Sequence, residues 1–425
     1  MKRWIRRSLW VVGFACLWLP VLDDPPLASG AYLQDLTSEG VVVAMITATP
    51  TALGCEVRDG AGTVVASIAP GSAARRHAMR VAGLRAGAAY EYAVTAGGER
   101  IDGGAFHTAP ADDAAPVRFA FLGDSGGQPW WVWLQRSPLF YLPARWHWLG
   151  AADAVSAVGR QVAAFQPDFV LHLGDIVYPW GWNAHYASGF FMPFGEVLRR
   201  APCYPVLGNH DVLDAQGVQA LSNFALPRSA ITGDERCYSF VHGPLCVICL
   251  DLDDLARTNP INESHPSHRF LVEELAKHTE PWIVVTSHYP IRSASRQKDR
   301  RDLLLHVRPL LEANAVSLYL SGHDHCYQRF GPDAAAGQSV PLIVSGGGGK
   351  SLYEVEPAAG AAVVRSAFHW CSVELAGVTM RCVAHGIDGT AFDEVVLTLP
   401  EGERLDALAR SAPARAARIR RLRGE

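Results

Sequence analysis

"PDFVLHLGDIVYPW", residues 167–180, is a short apolar run that stops at Gly174-Asp175 and then turns over a proline. A run of that length, rich in β-branched and aromatic residues and closed by turn residues, predicts a buried strand. The pattern recurs: "VRFAFLGD" (117–124), "APCYPVLGNHD" (201–211), "PWIVVTSHYP" (281–290) and "VSLYLSGHDH" (316–325) each end abruptly in Asp, Asn or His. Helix-like segments at 151–165, 269–278 and 302–313 separate several of them. Strands that alternate with helices form α/β sheets, and in such sheets ligands bind at the carboxyl ends of the strands. The five strand ends are therefore expected to meet at one site.

Those ends carry Asp124, Asp175, Tyr178, Asn209, His210, His288, His323 and His325. Taken singly, an Asp after a strand caps the next helix, and a His is an ordinary hydrogen-bonding residue. At equivalent places around one sheet edge, the same residues supply the donors of a mixed oxygen and nitrogen metal site.

Five blocks in this order, "GDSG" (123–126), "GDIVY" (174–178), "GNHD" (208–211), "VTSH" (285–288) and "GHDH" (322–325), resemble the calcineurin-like metallophosphoesterases and, within them, the purple acid phosphatases. The resemblance implies a catalytic domain over 117–399 with an α/β fold, a two-sheet β-sandwich flanked by helices. It implies a first metal held by Asp124, Asp175, Tyr178 and His325, and a second held by Asp175, Asn209, His288 and His323. Asp175 is the shared residue, because a carboxylate's two oxygens can reach two ions. In the wider family the first block usually reads Asp-x-His, but Gly126 stands in the third place here, and Tyr178 fills the vacancy. A phenolate beside two carboxylates favours a hard trivalent ion. The expectation is Fe(III) at the tyrosine-bearing site and Zn, Fe(II) or Mn at the second.

The implied activity is acid-phosphatase-type hydrolysis of phosphomonoesters by a hydroxide that two metal ions activate. His210 is similar to the family's non-ligand histidine, a donor to the phosphate or to the leaving group, and Asp211 is expected to orient it. Many purple acid phosphatases carry a further histidine after the fourth block. "HYPIRSASRQKDR" (288–300) has none, which leaves Arg292, Arg296 or Lys298 to supply positive charge. A phosphodiesterase or nucleotide phosphatase would use the same metal site. A non-catalytic envelope or adhesion protein with a structural metal is a third reading, although structural zinc sites usually close with Cys and His.

Upstream, "GVVVAMITATP", "LGCEVRDGAGTVVASI" and "HAMRVAGLRAGAAYEYAVTAGG" predict short strands between Gly-rich turns, a small all-β domain over 31–110. The stretch "GLRAGAAYEYAVT" is similar to the late strands of fibronectin type III-like domains, and "APADDAAP" (109–116) reads as a linker. Before it, Lys2, Arg3, Arg6 and Arg7 precede "SLWVVGFACLWLPVL", an apolar run broken by Pro20. That run is shorter than the roughly 20 residues a membrane span needs. Residues 1–30 therefore read as a signal peptide, with export to the periplasm or the extracellular space, or as an N-terminal anchor if the leader is retained. No stable membrane span is expected after cleavage.

The formal net charge of −4 over 425 residues gives no basic field for nucleic acid; the partner that the resemblance implies is a small phosphoester. Nothing in the pattern bears on oligomeric state. The tail, 400–425, carries seven arginines and reads as a solvated or frayed helix. Cys371 and Cys382 are symmetric about Ala376-Gly377, which places them opposite each other for a disulfide, whereas Cys246 and Cys249 point to opposite strand faces. "QPWWVWLQRSPLFYLPARWHWLG" (128–150), with five tryptophans, reads as an aromatic lid or a hydrophobic prop near the site. "SGGGGKS" (345–351) lacks the first glycine of a P-loop, Val344 standing there, and reads as a structural turn close to the site.

Overall fold

The computed structural model describes residues 27–126, 153–214, 216–252, 260–333, 337–358 and 360–425. Most of the expected leader and the whole Trp-rich stretch lie outside the described residues. Seven strands come first: β1 (Tyr32–Gln34), β2 (Gly40–Thr51), β3 (Leu53–Asp59), β4 (Val64–Ile68), β5 (Ala74–Ala82), β6 (Ala89–Ala96) and β7 (Glu99–His107). They pair antiparallel in two sheets, β1-β2-β5 and β4-β3-β6-β7. Alternation sets which side is inside. In β6, Tyr90, Tyr92 and Val94 are buried while Ala89 and Glu91 face out, and the two sheets share a core that includes Leu33, Val41, Val57 and Met79.

The rest of the strands are β8 (Val117–Leu122), β9 (Phe169–His172), β10 (Cys203–Pro205), β11 (Tyr238–His242), β12 (Leu245–Leu250), β13 (Trp282–Ser287), β14 (Leu318–Ser321), β15 (Tyr327–Phe330), β16 (Leu342–Ser345), β17 (Ala361–Arg365), β18 (His369–Ala376), β19 (Thr379–Gly386) and β20 (Ala391–Thr398). They form a six-stranded sheet, β10-β9-β8-β18-β19-β20, and a seven-stranded sheet, β11-β12-β13-β14-β16-β15-β17. Phe119, Leu171 and Val373 of the first sheet share a core with Val247, Val284, Leu320 and Ile343 of the second. The outer face of the second sheet is covered by the helix Pro266–Lys277, whose Phe270, Leu271 and Leu275 pack with Ile248, Ile283 and Val285. This is the mixed α/β arrangement of sheets and helices that the strand pattern predicts. The strands β8, β9 and β10 run parallel, as do β12, β13, β14 and β16, so their carboxyl ends come out at one edge.

Contacts tie the first seven strands to this body: the Tyr204 hydroxyl accepts from Leu36 N at 3.0 Å, and the Tyr32 hydroxyl donates to Asn223 O at 2.8 Å. Among the described residues no helix is long and apolar enough to cross a membrane.

Two expectations fail here. The arginine-rich tail is not a solvated helix. It forms helices Gly402–Ser411 and Pro413–Arg423, whose Leu405, Leu408, Ala416 and Ile419 join the inter-sheet core. Arg415, only 1 % exposed, donates to Glu280 O and Pro281 O at 3.1 Å and to Ala315 O at 3.0 Å. The charge run misleads because its guanidinium groups satisfy strand-entry carbonyls instead of water. The cysteine hairpin does form from β18 and β19, but it turns at Gly377-Val378, one residue later than expected. Cys371 therefore faces Ala384, Cys382 faces Val373, and both thiols are free. Cys249 packs in the inter-sheet core and Cys246 on the outer face, as their spacing requires.

Candidate metal centre

The parallel strands deliver their polar residues to one rim. Asp124 and Asp175 follow β8 and β9, Asn209 follows β10, and His288 and His323 follow β13 and β14. Asp124, Asp175 and His323 have φ of +56°, +50° and +69°. This left-handed region penalises Asp, Asn and His less than other L residues, so the strands can break sharply just where a polar side chain is presented. Gly208 serves the same end, because a Cβ there would lie 2.2 Å from Asp175 Oδ1.

All seven expected ligands meet. The Tyr178 hydroxyl lies 2.9 Å from Asp124 Oδ1, 2.7 Å from Asp175 Oδ2 and 3.3 Å from His325 Nε2. Asp124, Asp175 and His325 offer ligand atoms all within 4.8 Å of one another. On the other side of Asp175, His288 Nε2 lies 3.6 Å from Asp175 Oδ1, 3.3 Å from Asn209 Oδ1 and 3.2 Å from His323 Nδ1. His288 Nδ1 already donates to Leu173 O at 2.8 Å. Two oxygens and two imidazole nitrogens from four different residues thus meet around one point, a mixed donor set that a cation satisfies. His325 is oriented the same way, with Nδ1 donating to Ser351 O at 2.8 Å and Nε2 turned inward.

The electrostatics agree. Burial works against charge on Asp175, but His288, His210 and the Tyr178 hydroxyl outweigh it and hold the carboxyl well below its usual range. Burial, then the Asp124 and Asp175 carboxylates, push the Tyr178 phenol well above its ordinary value, so a phenolate at this position requires strong positive charge beside it. His288 is raised, since the Asp175 and Asp124 carboxylates overcome its burial. His323 is lowered to about 3, by burial first and by His288 second.

His210 stands at the rim. Its Nδ1 donates to Pro179 O at 2.7 Å, its ring packs 4.5 Å from that of Tyr178, and it lines an open cleft of about 930 Å³. Nε2 has no partner among the described residues. Asp211 does not orient it. Fully buried, the Asp211 carboxylate accepts from Gly208 N at 2.9 Å and Ile176 N at 3.0 Å and so staples the "GDIVY" and "GNHD" loops together. Sequence adjacency misled because the turn after Asn209 sends the two side chains apart.

An outer ring of aromatic residues and cations surrounds the ligands, and of its members only Arg296 was singled out from the sequence. Tyr353 stacks on His325 at 4.3 Å, and Arg296 lies over Tyr353 at 4.2 Å. Tyr289 packs 4.7 Å from His323, and Arg300 lies over Tyr289 at 4.7 Å. Of the cations in this loop, Arg300 and Arg301 line the cleft, whereas Arg292, Arg296 and Lys298 do not. Lys350, in the Gly-rich loop, puts Nζ 4.0 Å from the Tyr178 ring, and its backbone N donates to Asp124 O at 3.0 Å. The only sequence signal for these residues was their closeness to the ligand blocks.

The calcineurin-like phosphoesterase pattern matches residues 117–327. Tartrate-resistant acid phosphatase type 5 of Rattus norvegicus is 28 % identical over 267 residues, covering 57 % of this chain and 74 % of that protein. Purple acid phosphatase 3 of Arabidopsis thaliana is 36 % identical over 203 residues, 43 % of this chain and 55 % of that one. Among solved structures, a purple acid phosphatase from Lupinus luteus seeds superposes with a TM-score of 0.70 at 16 % identity, covering 88 % of this chain and 75 % of that one. PhoD superposes with a TM-score of 0.63 at 13 % identity, covering 95 % and 99 %. These two structural likenesses are likenesses of fold.

Proposed function

Because residues 117–327 belong to the calcineurin-like phosphoesterases, enzymes that hydrolyse phosphate esters, we propose that this chain is a purple acid phosphatase-like hydrolase of phosphomonoesters. The observation that carries the reading is the meeting of Asp175 Oδ1, Asn209 Oδ1, His288 Nε2 and His323 Nδ1 beside the cluster of Asp124, Tyr178 and His325. The donors fit Fe(III) at the tyrosine-bearing site and Zn, Fe(II) or Mn at the other. Bound there, such ions would supply a hydroxide at a pH where bulk water keeps its proton and would neutralise the phosphate oxygens.

The chain's own residues do the rest. Asp175 spans both sites. The backbone carbonyls of Leu173 and Ser351 hold His288 and His325 with Nε2 inward. His210, fixed through Nδ1 by Pro179 O, presents Nε2 at the cleft. There, in its imidazolium form, it donates the Nε2 proton to the leaving oxygen as the new P–O bond forms and the ester P–O bond breaks, giving an alcohol, inorganic phosphate and a neutral His210.

Around this core the reading divides the chain into a leader (1–30), a fibronectin type III-like domain (31–110), the catalytic domain (117–399) and the docked tail, in an exported protein. The 3 + 4 strand arrangement supports the second of these. So does Tyr90 at the start of β6, whose hydroxyl accepts from Arg85 N at 2.9 Å, like a tyrosine corner.

The test is a comparison of metal-loaded protein on phenyl phosphate, diphenyl phosphate and a nucleotide. The monoester should be hydrolysed fastest, and Asn209→Ala should lose about a hundredfold or more in rate. Faster diester hydrolysis, or equal rates in the variant, would overturn the reading.

A further inference from the structure

The cleft continues past the metal residues, and its composition changes. On one wall stand His323, His325, Asn209 and Asp175; on another stand Arg300 and Arg301, reached across Tyr289. The two walls are one aromatic layer apart: the Tyr289 ring is 4.7 Å from that of His323, and Arg300 Cζ is 4.7 Å from Tyr289. The two arginines are not equivalent. Arg300 is committed to Asp302 through a forked pair at 2.9 and 2.6 Å, which fixes its side chain. Arg301 is exposed and makes no hydrogen bond or ion pair with the described residues. The Asp302 carboxylate is answered by Arg300, and His306, on the same wall, faces Glu263 at 3.0 Å, so Arg301 is the lining cation without a carboxylate partner among the described residues. Arg301 also has the planar fork that binds carboxylate or phosphate through two parallel hydrogen bonds.

We propose that Arg301 is a second anion subsite, and that the preferred substrates are phosphomonoesters whose leaving group carries its own acidic group, a carboxylate or a further phosphate. The inference rests on the phosphatase reading above and adds the class of leaving group. In this arrangement the scissile phosphate lies against the metal residues and the second anion lies on Arg301, with Tyr289 as the floor between them. Because Arg301 touches the part of the substrate that does not react, its energy is spent mainly on binding. A charge-assisted pair at an exposed place is worth up to about fivefold in affinity.

The experiment compares phenyl phosphate, 3-carboxyphenyl phosphate and inorganic diphosphate as substrates of the metal-loaded parent and of Arg301→Gln, each at low and high salt. The parent should show a lower KM for both anionic substrates than for phenyl phosphate, by up to about fivefold, and added salt should shrink that advantage. Arg301→Gln should raise KM for the two anionic substrates toward that of phenyl phosphate while leaving kcat and phenyl phosphate kinetics unchanged, and Arg301→Lys should restore part of the difference. A parent active on phenyl phosphate but without the preference, or a variant that changes all three substrates alike, would overturn the subsite alone. A parent inactive on all three would overturn the phosphatase reading beneath it. A preference for only one of the anionic substrates assigns the second group as carboxylate or phosphate.

Discussion

At position 126 glycine stands where the wider family usually has histidine, and a Cβ there would come within 2.6 Å of the Tyr178 ring. The space for a side chain at 126 is already taken by the tyrosine, so the two residues are alternatives. The exchange was legible in sequence as a missing ligand and a surplus tyrosine; its steric cause was not, since it depends on two loops crossing. Gly126→His should therefore destabilise the protein, and Gly126→His combined with Tyr178→Phe should not rescue it, because the ring remains; thermal unfolding of both variants checks this. His210 was legible as the residue after a ligand, while its hold on Pro179 O was not. Replacing His210 with Ala should lower kcat by about 10²–10⁴ with KM little changed. The loss should be smaller for 4-nitrophenyl phosphate, whose leaving group needs no proton, than for an alkyl phosphate; an equal loss on both would remove His210 from that role.

The strand ends are the elements most visible in sequence, because apolar runs that stop at Asp, Asn or His mark both the strand and its functional end. Hairpin register and tail docking were not visible. A shift of one residue in the β18–β19 turn moved Cys382 from Cys371 to Val373, and turn position depends on which residue tolerates the left-handed conformation, here Gly377 with φ +53°. The tail helices bind through single arginines whose acceptors, the carbonyls of residues 280, 281, 314 and 315, carry no side-chain signature. These carbonyls precede β13 and β14, at the opposite end of those strands from the metal centre. Arg415→Met leaves these partly buried carbonyls without that donor and should cost about 1–3 kcal/mol in denaturant unfolding, with unchanged activity per folded molecule.

Across the whole molecule, one network joins β11, the helix Pro266–Lys277 and the tail. The imidazole of His278 lies between Glu274 Oε2 at 2.9 Å and Glu280 Oε2 at 3.0 Å, and Arg418 reaches Glu280 Oε1 at 3.3 Å and also pairs with Asp113. Burial opposes the imidazolium, but Cys246, Glu274 and Glu280 outweigh it and raise His278 to about 11. Glu274 and Glu280 are drawn down to about 2, their burial outweighed by hydrogen bonds in which His278 leads. The contribution of His278 to stability is full below its ordinary pKa of about 6.5 and is lost as pH climbs toward about 11; that of the two glutamates is full above about 4.5 and is lost as pH falls toward about 2. The difference in unfolding free energy between the parent and His278→Gln should thus be largest near pH 5–6, decline steadily above that and vanish only as pH passes about 11; a pH-independent difference would show that the imidazole is not charged. At this scale the sequence shows the α/β body and the all-β start, but not that the tail closes the core, because amphipathic helices rich in arginine look alike whether docked or free. On the proposed function, Tyr178 completes a metal centre that lacks a histidine, and the visible absorption of the iron-loaded protein beside that of Tyr178→Phe reads this directly. A phenolate-to-iron band present in the parent and absent from the variant is the predicted result. The same spectrum in both, at equal iron content, would contradict it.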